Sequence, residues 1–266
     1  MFKFENEPIM KQILLLVFNT LSLIFALVLN GLQGSSLFNN VNVGEISRKY
    51  DTLIAPAGYA FSIWGIIYLL LISFVVYQWV AWFRNKQDYE LRQINLWFIL
   101  GNMANGLWIV AWLNEYFLIT VILIFTLLLS LIMMSMRLRL AQDKVSTTKN
   151  IFIRWPVAVY LGWIVVASVA NVAVWLVSLN WDGGFLSPTT WTIVMIGIAT
   201  IIYLLLIQTR NIKAAAIVGI WAFLAIAVKH WDKIDAIVYT AIISAGILFI
   251  AIIFKAVFSG KHQLNN

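Results

Sequence analysis

Tryptophan, tyrosine and asparagine side chains recur at helical spacing in three apolar stretches of this sequence. In the first stretch Gly58, Phe61, Trp64 and Tyr68 are three or four residues apart, so they share one helical face. A helix that faces only lipid needs no ordered aromatic face, so this pattern predicts a wall that contacts protein or a ligand. Anchoring at the membrane surface is the alternative, but Trp64 and Tyr68 lie two to three turns inside.

Two further stretches combine amide and indole groups. One holds Asn105 and Trp108, and the other holds Trp163, Asn171 and Trp175. At about 1.5 Å per residue, a tryptophan of each stretch lies roughly 10 Å below one membrane surface, with the asparagine one layer deeper. A buried amide costs a few kcal/mol unless it is bonded, so each asparagine either joins helices or contacts a ligand. The predicted ligand-binding residues are Phe61, Trp64, Tyr68, Asn105, Trp108, Trp163, Asn171 and Trp175.

Composition restricts the other chemistry. Hydrophobic residues make up 62% and charged residues 11% of the chain, against roughly 25% charged in soluble domains. The absence of cysteine excludes disulfides, thiolate catalysis and cysteine-ligated metals, and two histidines disfavour a histidine metal site. The interiors of the apolar stretches carry no ionisable side chain, which disfavours proton-coupled transport and hydrolysis. We therefore expect no enzyme and no required cofactor.

Eight apolar stretches must position these groups. Most reach the length of about 20 residues that a membrane span needs, so we predict an all-α membrane helix bundle of about eight spans. The second, third and fifth spans carry the aromatic and amide residues, and the connection 33–56 is the longest, either a lid or a linker. The predicted spans are 10–32, 57–83, 94–114, 116–136, 155–181, 189–209, 214–228 and 236–257.

The basic residues predict the orientation. With eight spans, fourteen of the eighteen Lys and Arg residues fall on the side of both termini, and Arg48, Lys49, Lys229 and Lys233 fall on the other. The positive side is cytoplasmic, so we expect a multi-pass protein of the cell inner (plasma) membrane with both termini in the cytoplasm. The excess positive charge is then topological, and we expect no nucleic-acid partner.

Three motifs resemble a known family. The run from Pro56 to Tyr68, Pro-x-Gly-x-x-Phe-x-x-Trp-x-x-x-Tyr, resembles the second helix of the tryptophan-rich sensory proteins, bacterial relatives of the translocator protein (peripheral benzodiazepine receptor). Asn105 and Trp108 are similar to the Asn-x-x-Trp of its third helix, and the run from Tyr160 to Trp175 resembles its fifth helix. The resemblance covers about residues 10–181. It implies a five-helix ligand-binding bundle in residues 1–181, followed by three additional helices in residues 182–266.

The resemblance implies a function as well. The family binds tetrapyrroles, sterols or other flat apolar molecules, so a ligand-binding sensor or regulator is the leading hypothesis. A small-molecule transporter is the alternative, and a tetrapyrrole-modifying enzyme is the weakest because the site offers only tyrosine and tryptophan. A porphyrin or haem would be held by stacking and amide contacts, and His230 is expected at the membrane interface rather than as an axial ligand. Membrane lipid and the flat ligand are the expected partners, and a homodimer stays open.

Overall fold

The computed structural model describes residues 9–84, 89–140 and 145–261, and in these ranges all regular structure is helical. Eight helical segments of the described chain are long and apolar enough to cross a membrane, which confirms the predicted helix bundle. The helices are α1 Ile9–Gly31, α2 Val43–Lys49, α3 Ile63–Phe83, α4 Tyr89–Leu113, α5 Phe117–Arg137, α6 Thr147–Lys149, α7 Trp155–Ser178, α8 Pro188–Arg210, α9 Lys213–His230 and α10 Asp235–Lys261.

The first five spanning helices form a closed ring. Each of α1, α3, α4, α5 and α7 packs against two others, in the order α1, α4, α5, α7, α3 and back to α1. The remaining helices α8, α9 and α10 pack against one another outside the ring. Of these three, α9 makes the main contact with the ring, through α7.

Small residues allow α9 to approach both α7 and α8 closely. A methyl group on Gly162 would lie 2.6 Å from the Ala215 carbonyl oxygen, and one on Gly219 would lie 2.6 Å from the Tyr203 ring. The Tyr203 hydroxyl donates to the Gly162 carbonyl at 2.6 Å. The close approach predicted from the spacing of Ala215 and Gly219 is therefore observed, as is usual where membrane helices meet through small residues.

One end of the bundle, which we call the loop end, gathers the longer connections. The Asn114–Glu115 turn joins α4 to α5 there and is the tight hairpin that the sequence predicts. Glu115 has a φ of 60°. Ion pairs link this turn and the end of α9 to residues 49–51: Lys49 with Glu115 at 2.6 Å and Lys229 with Asp51 at 2.5 Å. Helix α1 begins, and α10 ends, at the opposite end.

The connection after α1 was predicted to be a lid or a linker without obvious structure, but it contains a short helix. Helix α2 lies within it and begins with a capping box, in which the Asn42 side chain accepts from the Glu45 amide and the Glu45 carboxylate accepts from the Asn42 amide. Val43 and Ile46 bury the inner face of this helix against the ring. The Asn-x-x-Glu spacing was a readable signal for it.

The second span begins differently from the prediction. Residues 58–62 form a 3-10 turn, and the α-helix starts only at Ile63. Such turns are common at helix starts, and here they place Gly58 and Phe61 out of the α-helical register assumed for the shared face. We call residues 51–62, which join α2 to α3, the linking segment.

Candidate ligand-binding site

A cavity lies inside the ring beneath the linking segment. Its volume is about 50 Å³, room for a few water-sized molecules and far below the roughly 300–1,000 Å³ of typical small-molecule sites. A flat macrocycle therefore enters only if the walls separate. Six of the eight predicted ligand-binding residues line this cavity: Phe61, Trp64, Asn105, Trp108, Trp163 and Asn171.

Aromatic rings from α3 and α7 form one wall. The Trp64 ring stacks on Tyr68 at 5.5 Å between centroids and meets the Tyr160 and Trp163 rings edge-on at 5.8 and 6.3 Å. Phe61 packs edge-on against Trp163 at 5.9 Å. Such rings bury large areas and favour flat, polarisable partners. The motif residue Tyr160, which was not among the predicted binding residues, belongs to this wall.

Four polar groups on or near this wall are buried without a hydrogen bond to any residue that the structure describes. They are the hydroxyls of Tyr68 and Tyr160, the Asn105 amide nitrogen and the Trp163 indole nitrogen, and we call them the donor cluster. The Asn105 side chain lies near both hydroxyls, and its oxygen accepts from Asn30 at 2.9 Å. All four groups can donate a hydrogen bond.

The Asn171 side chain, unlike the donor cluster, has hydrogen-bond partners for both of its polar groups. Its side-chain oxygen accepts from the Trp108 indole at 2.7 Å, and its amide donates to the Thr120 hydroxyl at 2.7 Å. These two bonds join α4, α5 and α7. Of the two roles predicted for a buried asparagine, Asn171 has the one that joins helices, and Thr120 is the partner that the sequence did not reveal.

Trp175 and Tyr68 lie outside the cavity lining. Among the described residues Trp175 is half-buried and packs against the hydrophobic core, while its neighbours Asn171 and Val174 line the cavity. Tyr68 lies one turn deeper than Trp64 and contacts the cavity-lining Trp64 through its ring. Of the three tryptophans predicted to form one layer, Trp64 and Trp108 line the cavity and Trp175 does not.

His230 is the last residue of α9, at the loop end, and its side chain is buried against the linking segment. Only 4% of it is exposed, and its Nε2 atom lies 2.8 Å from the Leu53 carbonyl oxygen, with which it shares a hydrogen bond. It therefore fastens α9 to the linking segment. In the described ranges no group of three or more His, Cys, Asp or Glu residues is placed to hold a metal ion.

A second fastening holds α2 over the cavity. The Glu115 carboxylate accepts from Lys49 at 2.6 Å and from the Tyr50 hydroxyl at 2.5 Å. These hydrogen bonds, that from Lys49 first, lower the pKa of Glu115, and the bond to Glu115 raises the pKa of Lys49. The Tyr50 ring also packs edge-on against Phe117 at 4.6 Å. Because Val43 and Ser47 of α2 line the cavity, this ionic contact supports its roof.

Comparison with known proteins identifies one family. The family model described as TSPO-like protein matches residues 15–254. No curated protein and no solved structure matches the chain. The matched range includes α8, α9 and nearly all of α10, so the three helices without a counterpart in the five-helix proteins lie within the extent of this family.

Proposed function

Since the chain belongs to the TSPO-like protein family, we propose that it is a membrane sensor that binds a flat, apolar molecule such as a porphyrin inside the five-helix ring. The observation that carries this proposal is the donor cluster beside the Trp64 wall. A buried donor without a partner destabilises a protein by about 1–3 kcal/mol. Four such groups, two of them on the cavity-lining residues Asn105 and Trp163, are accounted for if a ligand supplies the acceptor.

The wall specifies the chemistry of the ligand. Its aromatic faces favour stacking with a flat ring system, and its donors favour a carbonyl or carboxyl oxygen at the edge of that ring. Such a ligand needs neither a metal ligand from the protein nor a cofactor, and binding rather than catalysis is the proposed activity. A porphyrin with carboxyl side chains meets both requirements.

The small cavity couples binding to movement. About 50 Å³ does not accommodate a macrocycle, so the bound form differs from this one in the position of at least one wall. A ligand that binds only the opened form shifts the population toward that form. A change of shape on binding is what a sensor requires for its output.

Binding of protoporphyrin IX to the purified protein in lipid nanodiscs tests the proposal. We expect saturable quenching of tryptophan fluorescence with about one porphyrin per chain. Trp163→Leu should weaken binding about tenfold, because it removes both an aromatic edge and one donor. Trp79→Leu is the control, since Trp79 lies near the far end of α3 and bonds Thr20. Equal affinity in all three proteins would place the ligand elsewhere.

Transport is the second candidate, favoured by an apolar groove of about 940 Å³ between α5, α7 and α8. The groove reaches Thr52 and Ile54 of the linking segment, so it could lead a ligand from the lipid to the cavity wall. In liposomes a sensor binds porphyrin without moving it across the membrane. Flux of many porphyrin molecules per protein would show that the protein is a transporter and not a sensor.

A further inference from the structure

One face of α9, from Trp221 to His230, forms hydrogen bonds with the linking segment. Trp221, Ala225 and Lys229 are four residues apart, so they share a helical face. The Trp221 indole donates to the Ala60 carbonyl at 3.3 Å, and the Ala225 carbonyl accepts from the Ala57 amide at 3.1 Å. Helix α9 thus reaches the linking segment through an indole, a backbone carbonyl and a charged side chain.

The last turn of α9 continues the same contact. The Lys229 ammonium bonds the Asp51 carboxylate at 2.5 Å and the Thr52 carbonyl at 2.8 Å, and His230 bonds the Leu53 carbonyl. Residues 51–57 form turns rather than helix, so their backbone groups depend on partners from outside. Helix α9 supplies those partners from Asp51 to Ala60.

The same linking segment forms a wall of the cavity. Ala55, Pro56 and Phe61 line it. The contacts with α9 lie before Ala55, at Leu53, and between Pro56 and Phe61, at Ala57 and Ala60. Helix α9 also packs behind α7 at Gly162, beside the cavity residue Trp163. It therefore stands behind two walls of the cavity without lining it.

We propose that α9 positions the cavity wall, so that opening the cavity for a ligand breaks the bonds between α9 and the linking segment. Trp221 and Lys229 are positioning residues in this proposal, which rests on the proposed ligand-binding function for its biological meaning. Through these residues the three helices outside the ring would control ligand access. Binding of a ligand would in turn release these helices from the linking segment.

A single introduced cysteine measures the opening directly. The chain contains no cysteine, and Ala55 is 4% exposed in the cavity wall, so Ala55→Cys is modified by N-ethylmaleimide only when the wall opens. Adding Trp221→Phe keeps a ring beside Tyr59 but removes the indole donor. We expect the rate of modification to rise about three- to tenfold, the change for one lost hydrogen bond. Lys229→Met should act in the same direction.

Two controls separate positioning from general destabilisation. Trp231→Phe makes the same chemical change at a residue of which 59% is exposed, and it should leave the rate unchanged. A cysteine at Ser135, buried in α5 far from the loop end, should react equally slowly with or without Trp221→Phe. Equal rates at Ala55→Cys in all backgrounds, or a parallel rise at Ser135→Cys, would overturn the proposal.

The test is independent of the ligand. Faster modification in a protein that binds no porphyrin would support the positioning role of α9 and contradict the proposed function. When porphyrin does bind, its association rate should rise in Trp221→Phe and stay unchanged in Trp231→Phe.

Discussion

The hydroxyl groups of Tyr160 and Tyr203 are both buried in the bundle, but they differ in their hydrogen bonds. The Tyr203 hydroxyl donates to the Gly162 carbonyl, whereas the Tyr160 hydroxyl has no partner among the described residues. An unpaired buried hydroxyl lowers stability, and a paired one raises it slightly. The pair therefore separates the contribution of a residue to stability from its contribution to binding.

Replacing each tyrosine with phenylalanine tests this difference. Tyr160→Phe should raise the free energy of unfolding by about 1 kcal/mol in the absence of ligand, because it removes an unpaired polar group, and should weaken porphyrin binding. Tyr203→Phe should lower the free energy of unfolding by about 1 kcal/mol and leave binding unchanged. Unfolding in graded detergent mixtures and fluorescence titration measure the two quantities. A loss of stability in Tyr160→Phe would show that its hydroxyl is satisfied.

For single residues, the sequence predicted which side chains line the cavity better than it predicted which side chains hydrogen-bond to each other. Helical spacing correctly brought Trp64, Asn105 and Trp163 to one cavity, because spacing determines which residues share a face. It did not reveal that Asn30 bonds Asn105 or that Thr120 bonds Asn171. Those pairs depend on how neighbouring helices are rotated and shifted, which no single helix encodes.

At the scale of elements, the ionic fastening of α2 makes the cavity roof sensitive to pH. The pKa of Glu115 is lowered from 4.5, so its contribution is present above that value and disappears as the pH falls through the lowered pKa. The pKa of Lys49 is raised from 10.5, so its contribution is lost only as the pH rises through the raised value. The fastening is therefore complete between about pH 5 and pH 10.

We expect Glu115→Gln to lower the thermal midpoint relative to wild type by a constant amount from pH 6 to 9. The difference should begin to shrink below about pH 4.5, where the unfolded wild-type chain takes up a proton on Glu115, and should disappear once the pH falls through the lowered pKa of the folded protein. Asp182→Asn is the control, since Asp182 is an exposed carboxylate that accepts only a local amide bond from Gly184. A difference that persists unchanged at pH 3.5 would contradict an electrostatic fastening.

The elements themselves were largely predictable. Each spanning helix was found from the length of its apolar stretch, with ends a few residues from those observed. The short elements at the loop end were not predicted. Helix α2 depends on its capping box, whose Asn-x-x-Glu spacing could have been read, and on the packing of Val43 and Ile46 against the ring, whereas the 3-10 turn at Gly58–Ser62 begins without a side-chain cap. An apolar count does not register such local geometry.

At the scale of the whole molecule, eight alternating spans place both termini on the same side of the membrane. The ion pairs of the loop end agree with this alternation, because they join the end of α9, the α4–α5 turn and the connection after α1. We expect the termini to be cytoplasmic because fourteen of the eighteen basic residues lie on their side. Reporter fusions after Gly184 and after Lys261 should give opposite signals, and identical signals would exclude this topology.

The last prediction concerns whether the five-helix ring is independent of α8, α9 and α10. The resemblance was predicted to end at residue 181 because the last three helices have no counterpart in the five-helix proteins, but the family match extends to residue 254. In the structure these helices contact the ring through the close approach at Gly162 and through bonds to the Ala57 and Ala60 backbone. A chain that ends at residue 181 loses these contacts and exposes Gly162. We expect it to lose porphyrin binding, while a chain that ends after Val257 keeps it.

Co-expression distinguishes a missing contact from a misfolded fragment. Membrane helices that are inserted separately can associate afterwards through their packing surfaces. Residues 182–266 supplied as a second chain should therefore restore porphyrin binding to residues 1–181. Gly162→Leu in the first chain should prevent the rescue, because any side chain there collides with the Ala215 backbone of the second chain. Full affinity in residues 1–181 alone would show that the ring positions its own wall and that α9 is dispensable for the site.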